Sequence, residues 1–544
     1  MSTIRWGILA VLASTFMFGA TSACKGGAKE KPGASAKTKA AATTNAESSP
    51  GHMKLPSNEP TYLNPVLETR FNRANMLIFE GLVGFDAALN PVPRLAESWE
   101  QSKDGRSITF HLRKGVLWSD GKAFTSKDVA FTIGQIRNTK LRTIWRTYFS
   151  TVEKVETPDD LTVVVNYKAP YAPALVSWSV GILPKHRFSD TDAAVGDDAF
   201  QAANANSEAV GTGPFQLVRW ERGSRILLKK NKNWWHDTPG LNTIELVFNT
   251  KDKLEALKTG VVDFANINDL GQWNSEAQLP NFLDNFEKTS SMESVFRVIA
   301  WNGTKAPFDQ PAVRRALTHG LNRSRVLDDL LMGEGQLLSA PFFANMFGAD
   351  PQIAPREFDA ALAKKMLTDA AVISETTRLP LEIITTTSQK LPIHAEMFAI
   401  FKQDLATIGV DLNVSYLSPR EFEKRTFAND FDAAFFGWIR DIPDPDPSAL
   451  LHSAEVKLGQ NFARYNNPEV DVWLEDAVKT ADREARKEIY KKIHAQLYKD
   501  MPYTVIYAPF SHYAWSRKFG RVNPADVSVQ TRFPGISRWS LNTK

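Results

Sequence analysis

Cysteine is nearly absent: the 544-residue chain holds one, Cys24. A single thiol permits no intrachain disulfide and no cysteine-built zinc site. An excess of one charge is missing too, since 65 Lys and Arg stand against 61 Asp and Glu for a net +4. That balance, with the basic residues dispersed, argues against a nucleic-acid groove. After the N-terminus no apolar run is long enough to span a bilayer. There is no nucleophile-elbow serine, no HExxH and no phosphate loop, so no catalytic signature is present. No internal period stands out. What remains is the composition of a folded chain, 43% hydrophobic and 23% charged. Its length exceeds one hydrophobic core, so two or more lobes are expected. The 14 Trp and 33 Phe supply large rigid faces for cores and for pockets.

The first fifty residues read as an address. Met1 to Arg5 is a short positive segment, Trp6 to Ala20 is almost wholly apolar or small, and Thr21-Ser22-Ala23-Cys24 follows. Small residues before a lone Cys resemble the lipobox of bacterial lipoproteins, which predicts a signal peptide over 1–23 and acylation of Cys24. Thr21 departs from that pattern, which prefers Leu there. More than one acyl chain is what stable anchoring requires. From Lys25 to Pro50 there is no Phe, Leu, Ile or Val, too little apolar surface to fold, so 24–53 is expected to be a flexible tether. Its lysines either face anionic headgroups or are simply solvated.

Helix and strand signals then alternate irregularly, which implies mixed α and β lobes. Asp104-Gly105 is a turn signal, and Ile108, Phe110 and Leu112 place one apolar face on a strand over 107–113. Thr125 and Asp128 predict a helix start. Strands are expected over 161–167, 225–230 and 244–248. Leu254 and Leu257 before Gly260 predict a short helix; Ile489, Ile493 and Leu497 put one stripe on a later helix, with Glu488 and Lys492 free to pair outside it. Residues 397–408 read as a helix stopped by Gly409 and followed by a strand through Val410, Leu412 and Val414.

Several motifs occur in one order: Glu80-Gly81-Leu82-Val83, Leu95-Ala96-Glu97-Ser98-Trp99, Asp120-Gly121, Phe124-Thr125 to Asp128-Val129, Ile182 to His186, Gly211-Thr212-Gly213-Pro214-Phe215, Trp301-Asn302, Pro307-Phe308, Val313 to Leu317 and Gly437-Trp438. Together they resemble the family 5 solute-binding proteins over nearly all of residues 56–515. The resemblance implies an α/β fold like that of type II periplasmic binding proteins, two lobes closing on a cleft with an extra inserted domain. It divides the chain into domain I (54–88, 209–300 and 508–544), domain II (89–208) and domain III (301–507). It implies an extracytoplasmic lipoprotein that captures oligopeptides for an ABC-type import permease and its ATPases. The expected protein is a monomer on the periplasmic face of the cell envelope, held to the membrane by its lipid. No enzyme activity, cofactor, metal or nucleic acid is expected. The same scaffold also serves oligosaccharide and nickel-chelate receptors, and a ligand-sensing lipoprotein without a permease is a further alternative.

The stretch Trp438-Ile439-Arg440-Asp441 follows a predicted buried strand over 431–437, so these four residues are expected at its end, facing a cleft. The resemblance places Asp441 where peptide receptors hold the ligand's α-ammonium group; a carboxylate in a water-poor cleft makes a charge-assisted bond there. Arg440 either orients that carboxylate or points the other way, and Trp438 is wall or core. A neutral sugar or an anionic chelate has no use for a buried carboxylate. Asp444 and Asp446 between prolines are expected to form a rigid surface turn. Dipeptide receptors of the family carry a carboxylate-binding Arg before the helix near 397–408. Here Lys390 stands in that loop, a point charge without the guanidinium fork. That favours longer peptides held by backbone bonds and the ammonium contact. Asn302 is expected to be structural.

Overall fold

The computed structural model describes residues 50–542 apart from 69–71, 87–89, 189–199, 201–203, 293–294, 343–345, 440–443, 445, 458 and 525–534. The signal peptide and residues 24–49 of the expected tether, Cys24 among them, lie outside the described residues, and the tether's last two, His52 and Met53, already belong to a strand in which Met53 is fully buried.

The chain enters through β1 (His52–Pro56). Strands β2 (Val83–Phe85) and β3 (Pro91–Pro93) make a short antiparallel pair. Then β4 (Ala96–Gln101), β5 (Ser107–Leu112), β6 (Val152–Asp159) and β7 (Thr162–Tyr167) build an antiparallel sheet in the order β4-β5-β7-β6. In β5 Ile108, Phe110 and Leu112 are buried and the residues between them are not, the pattern of a strand with one face on a core. Helix α1 (Ser126–Arg137) covers this sheet. It starts at a capping box in which the Thr125 N–H donates to the Asp128 carboxylate at 2.9 Å. Strands β8 (Phe215–Glu221), β9 (Arg225–Lys230) and β10 (Thr243–Val247) join β1 in a second sheet, β1-β10-β9-β8. One core joins both sheets, with Trp118, Trp178 and Trp539 fully buried in it.

The motif glycines have a packing reason here. A Cβ on Gly211 would sit 1.8 Å from the Ile78 carbonyl oxygen, and one on Gly213 2.6 Å from that of Leu77. The two backbones touch where only glycine leaves room.

Past the short helix α2 (Lys253–Lys258), a larger sheet gathers β11 (Phe264–Asn266), β12 (Phe286–Met292), β13 (Val295–Trp301), β14 (Gly335–Gln336) and β15 (Leu379–Thr386). Helix α3 (Pro392–Thr407) returns the chain to β16 (Val410–Leu417), which lies parallel to β15. Then come β17 (Ala433–Ile439), helices α4 (Pro468–Lys479) and α5 (Arg483–Asp500), and the 14-residue β18 (Tyr503–Ser516). The strand order is β11-β18-β13-β17-β15-β16. One apolar cluster fills the α3 face of this sheet and another the α4/α5 face.

Strand β18 ties the two parts together. Its first half pairs with β13 and its second half with β12 and β11. β12 and β13 are nearly continuous, so two neighbouring strands cross between the regions. The regions touch again away from this crossing: the Ala172 N–H donates to the Val478 carbonyl at 2.7 Å, and Arg483 donates to Asn90 Oδ1 at 2.8 Å.

Three local expectations change. The strand before the candidate site is shifted two residues, to 433–439, because Asn302 holds the preceding segment with its side chain, donating to the Phe431 carbonyl at 2.8 Å. Glu488 pairs with Lys491, one turn position nearer than Lys492, at 2.8 Å. The Asp444–Asp446 turn is not a surface feature: Asp444 is buried and takes both arms of the buried Arg486 guanidinium at 2.6 and 2.7 Å.

Candidate functional site

In sheets with parallel strands, ligands meet the carboxyl ends of the strands. Here those ends belong to β15 and β17, and α3 begins beside them. The β12–β13 crossing reaches the same edge. Arg297, third residue of β13, lies between Gly437 of β17 and Tyr507 of β18 in the strand register. Its side chain lies across Gly437, where a Cβ would come within 2.0 Å of guanidinium Nη1. The glycine of the Gly437-Trp438 motif is thus the space that the arginine occupies.

Behind Arg297 runs a chain of polar contacts. The His394 Nδ1 lies 2.9 Å from the Gln389 carbonyl, which only accepts, so Nδ1 carries the proton. Burial, with the Arg297 charge adding to it, pushes the His394 pKa down to about 4, so the ring is neutral near pH 7. Its Nε2 therefore accepts, and the Tyr507 hydroxyl, 3.2 Å away, is the donor. The Tyr507 oxygen is left to accept from Arg297, which reaches it. Burial first, against the pull of Arg297, raises the Tyr507 pKa and keeps it a phenol. Among the described residues no carboxylate pairs with Arg297, and its Nε is buried without a partner.

Of the residues singled out in the sequence, Trp438 is the last but one of β17, half-buried. It stands opposite Phe296 and packs on the α4/α5 side of the sheet with Phe436 at 6.4 Å. Gly437 and Arg297 face the other side. Lys390 is exposed at the end of the turn after β15, its Nζ 5.7 Å from the ring centre of Tyr416 on β16. Three strand spacings, about 14 Å, separate β16 from β13, so Lys390 and Arg297 are not brought together. Arg440 and Asp441 lie outside the described residues.

The chain that follows is firmly held. Arg486 clamps Asp444 and donates to the Tyr490 hydroxyl at 2.8 Å. Asp446 accepts from the Ser448 hydroxyl at 2.5 Å and from its N–H at 3.0 Å. Burial and the neighbouring Asp444 charge push the Asp446 carboxyl up. Tyr171, next to the Ala172 contact, is close enough to feel both carboxylates. Asp444 is thus bolted to α5, on the side of the other region.

Two surface recesses lie elsewhere. One of about 550 Å³ is lined by Lys258, Asp263, Glu276 and Lys518; the other, of about 620 Å³, by His319, Arg356 and Tyr498. Among the described residues there is no group of three or more His, Cys, Asp or Glu placed to hold a metal ion, and no helix long and apolar enough to cross a membrane. Arg297, Tyr507 and His394 escaped the sequence because they come from three separate segments. The one available signal was a cation inside an otherwise apolar strand, Val295 to Trp301.

The profile of the bacterial extracellular solute-binding proteins, family 5 (middle), matches residues 90–457. The oligopeptide-binding protein AppA of Bacillus subtilis is 25% identical over 476 residues, 84% of this chain and 86% of that one. The heme-binding protein A of Haemophilus influenzae is 27% identical over 516 residues, 88% of this chain and 92% of that one. Among solved structures, HbpA2 from Haemophilus parasuis superposes with a TM-score of 0.79 at 21% identity, covering 90% of this chain and 100% of that one.

Proposed function

The chain belongs to the bacterial extracellular solute-binding proteins of family 5, and from that premise we propose that it captures oligopeptides and delivers them to an ABC-type import permease. Cys24 carries the lipid anchor, and domains I, II and III close on the ligand as lobes. The observation that carries this reading is the course of β17. It ends at Ile439, two residues before Asp441, at the carboxyl edge of parallel strands, and the chain beyond is clamped through Asp444 to α5. In sequence Asp441 falls between the end of β17 and Asp444, which Arg486 holds, and a carboxylate at that place suits a cation. The α-ammonium group is the cation common to all peptides. Trp438 and Arg440 flank this contact, and Lys390 guards the outer strand. That AppA is named for oligopeptides agrees with this choice.

Thermal unfolding of the protein with a mixed peptide library, and with the same library N-acetylated, tests it. Free ligand at a hundred times its dissociation constant adds about 2.7 kcal/mol, a visible rise in melting temperature. Stabilisation by free but not acetylated peptides, lost in Asp441→Asn, is the expected result. Equal stabilisation by both libraries removes Asp441 as the ammonium site. No stabilisation by either, with a response to heme, nickel chelates or oligosaccharides, replaces the cargo.

A further inference from the structure

Three buried arginines among the described residues are each well supplied with acceptors. Arg314 donates to the carbonyls of Phe308, Asp309, Asp500 and Met501, Arg323 to those of Val505 and Leu338, and Arg486 to Asp444. Arg297 is the contrast. A guanidinium offers five N–H groups, and among the described residues this one meets only the Tyr507 hydroxyl. Half-burial of an unpaired cation is costly, yet the surroundings are built to hold it. Gly437 leaves it space, and the neutral His394 accepts from Tyr507 so that the phenol oxygen faces the guanidinium. It also stands at the crossing of the two regions, where a ligand between them would pass.

Resting on the peptide-receptor reading above, we propose that Arg297 is a specificity-determining residue that takes a carboxylate of the bound ligand. The fork of the guanidinium binds both carboxylate oxygens, while Tyr507, Gly437 and His394 position it. Lys390, exposed and about three strands away, does not share that task.

The test measures affinity of the full chain for three peptide libraries: free acids, the same peptides C-amidated, and free acids lacking Asp and Glu. Wild type is expected to bind free acids roughly ten- to a hundredfold more tightly than amides, the worth of a charge-assisted bond. Arg297→Gln should bring free acids down to the amide level and leave amides unchanged. If amidation has no effect but the library lacking Asp and Glu binds worse, only in wild type, the carboxylate is a side chain and the assignment of Arg297 holds. Equal loss for every library in Arg297→Gln, or no loss for any, overturns it. Should Arg297→Gln fail to fold, Arg297→Lys keeps the charge without the fork; a loss confined to free acids supports the site, and a uniform loss overturns it. If no peptide stabilises wild type, the peptide reading fails, and a panel of citrate, tartrate and histidine then tests Arg297 alone. Stabilisation of wild type and not of the variant supports the site; no difference overturns it.

Discussion

Glu80 shows how much a single environment decides. The residue is 2% exposed, and the indoles of Trp235 and Trp234 donate to it at 2.9 and 3.4 Å. Burial outweighs those bonds and the Arg94 charge, and raises its pKa from 4.5 to about 7. A raised carboxyl binds its proton more tightly folded than unfolded. Stability is therefore full below about pH 4.5, falls as pH rises, and levels off above about pH 7. The drop is roughly 3 kcal/mol at 1.36 kcal/mol per pH unit. Urea unfolding at pH 5 and pH 8 should show it in wild type and not in Glu80→Gln; identical slopes in the two proteins would sink the assignment. Arg486 makes the opposite case. Arg486→Leu strands the buried Asp444 charge and should cost about 3–5 kcal/mol, whereas replacing both residues by apolar ones of similar size costs far less. Urea midpoints of the single and double variants decide between these outcomes.

At the scale of elements, two contacts should be measurable in isolation. Thr125→Ala removes the hydroxyl that caps α1 and should cost about 1 kcal/mol in chemical denaturation. Gly211→Ala drives a methyl into the Ile78 carbonyl and should cost about 1–3 kcal/mol, with Gly223→Ala, which meets nothing within 4 Å, as the control for a turn glycine. Gly223 sits at φ +73°, so its cost reports backbone strain alone; a Gly211→Ala variant as stable as wild type would remove the contact as the reason for the motif. These elements also mark what was legible beforehand. The capping box, the alternating β5, the Ile493 and Leu497 stripe of α5 and the α3–β16 unit were all readable because their signals are local and periodic. The two-residue shift of β17 was not, since it depends on Asn302, 129 residues away, bonding the Phe431 carbonyl. Nor was the burial of Asp444, because its partner Arg486 comes from a helix the sequence marks only by its apolar stripe. Trp438 and Lys390 could be named from motif and loop position, but not the sheet face or the strand that separates each from Arg297.

For the whole molecule, the decisive feature is that the two regions are joined by neighbouring strands at one place and touch by few polar contacts at another. Strands β12–β13 and β18 form a short double connection, the place about which the proposed closure would rotate the regions. On the far side, among the described residues, Arg483 to Asn90 and Ala172 to Val478 are polar ties between sheets that share no strand. On the proposed reading, a ligand that bridges the regions shifts an existing equilibrium toward the touching form. Solution scattering should then show the free protein more extended than the protein saturated with ligand; superimposable profiles would remove closure from the mechanism. Arg483 is exposed, so Arg483→Ala should change unfolding free energy by no more than about 0.5 kcal/mol. The apparent dissociation constant is the intrinsic one divided by the fraction of closed form. Losing one tie of about 0.5–1 kcal/mol should therefore weaken ligand binding roughly two- to fivefold, with the ligand contacts themselves untouched. A variant that binds as tightly as wild type would show that the Arg483 contact does not help to hold the closed form.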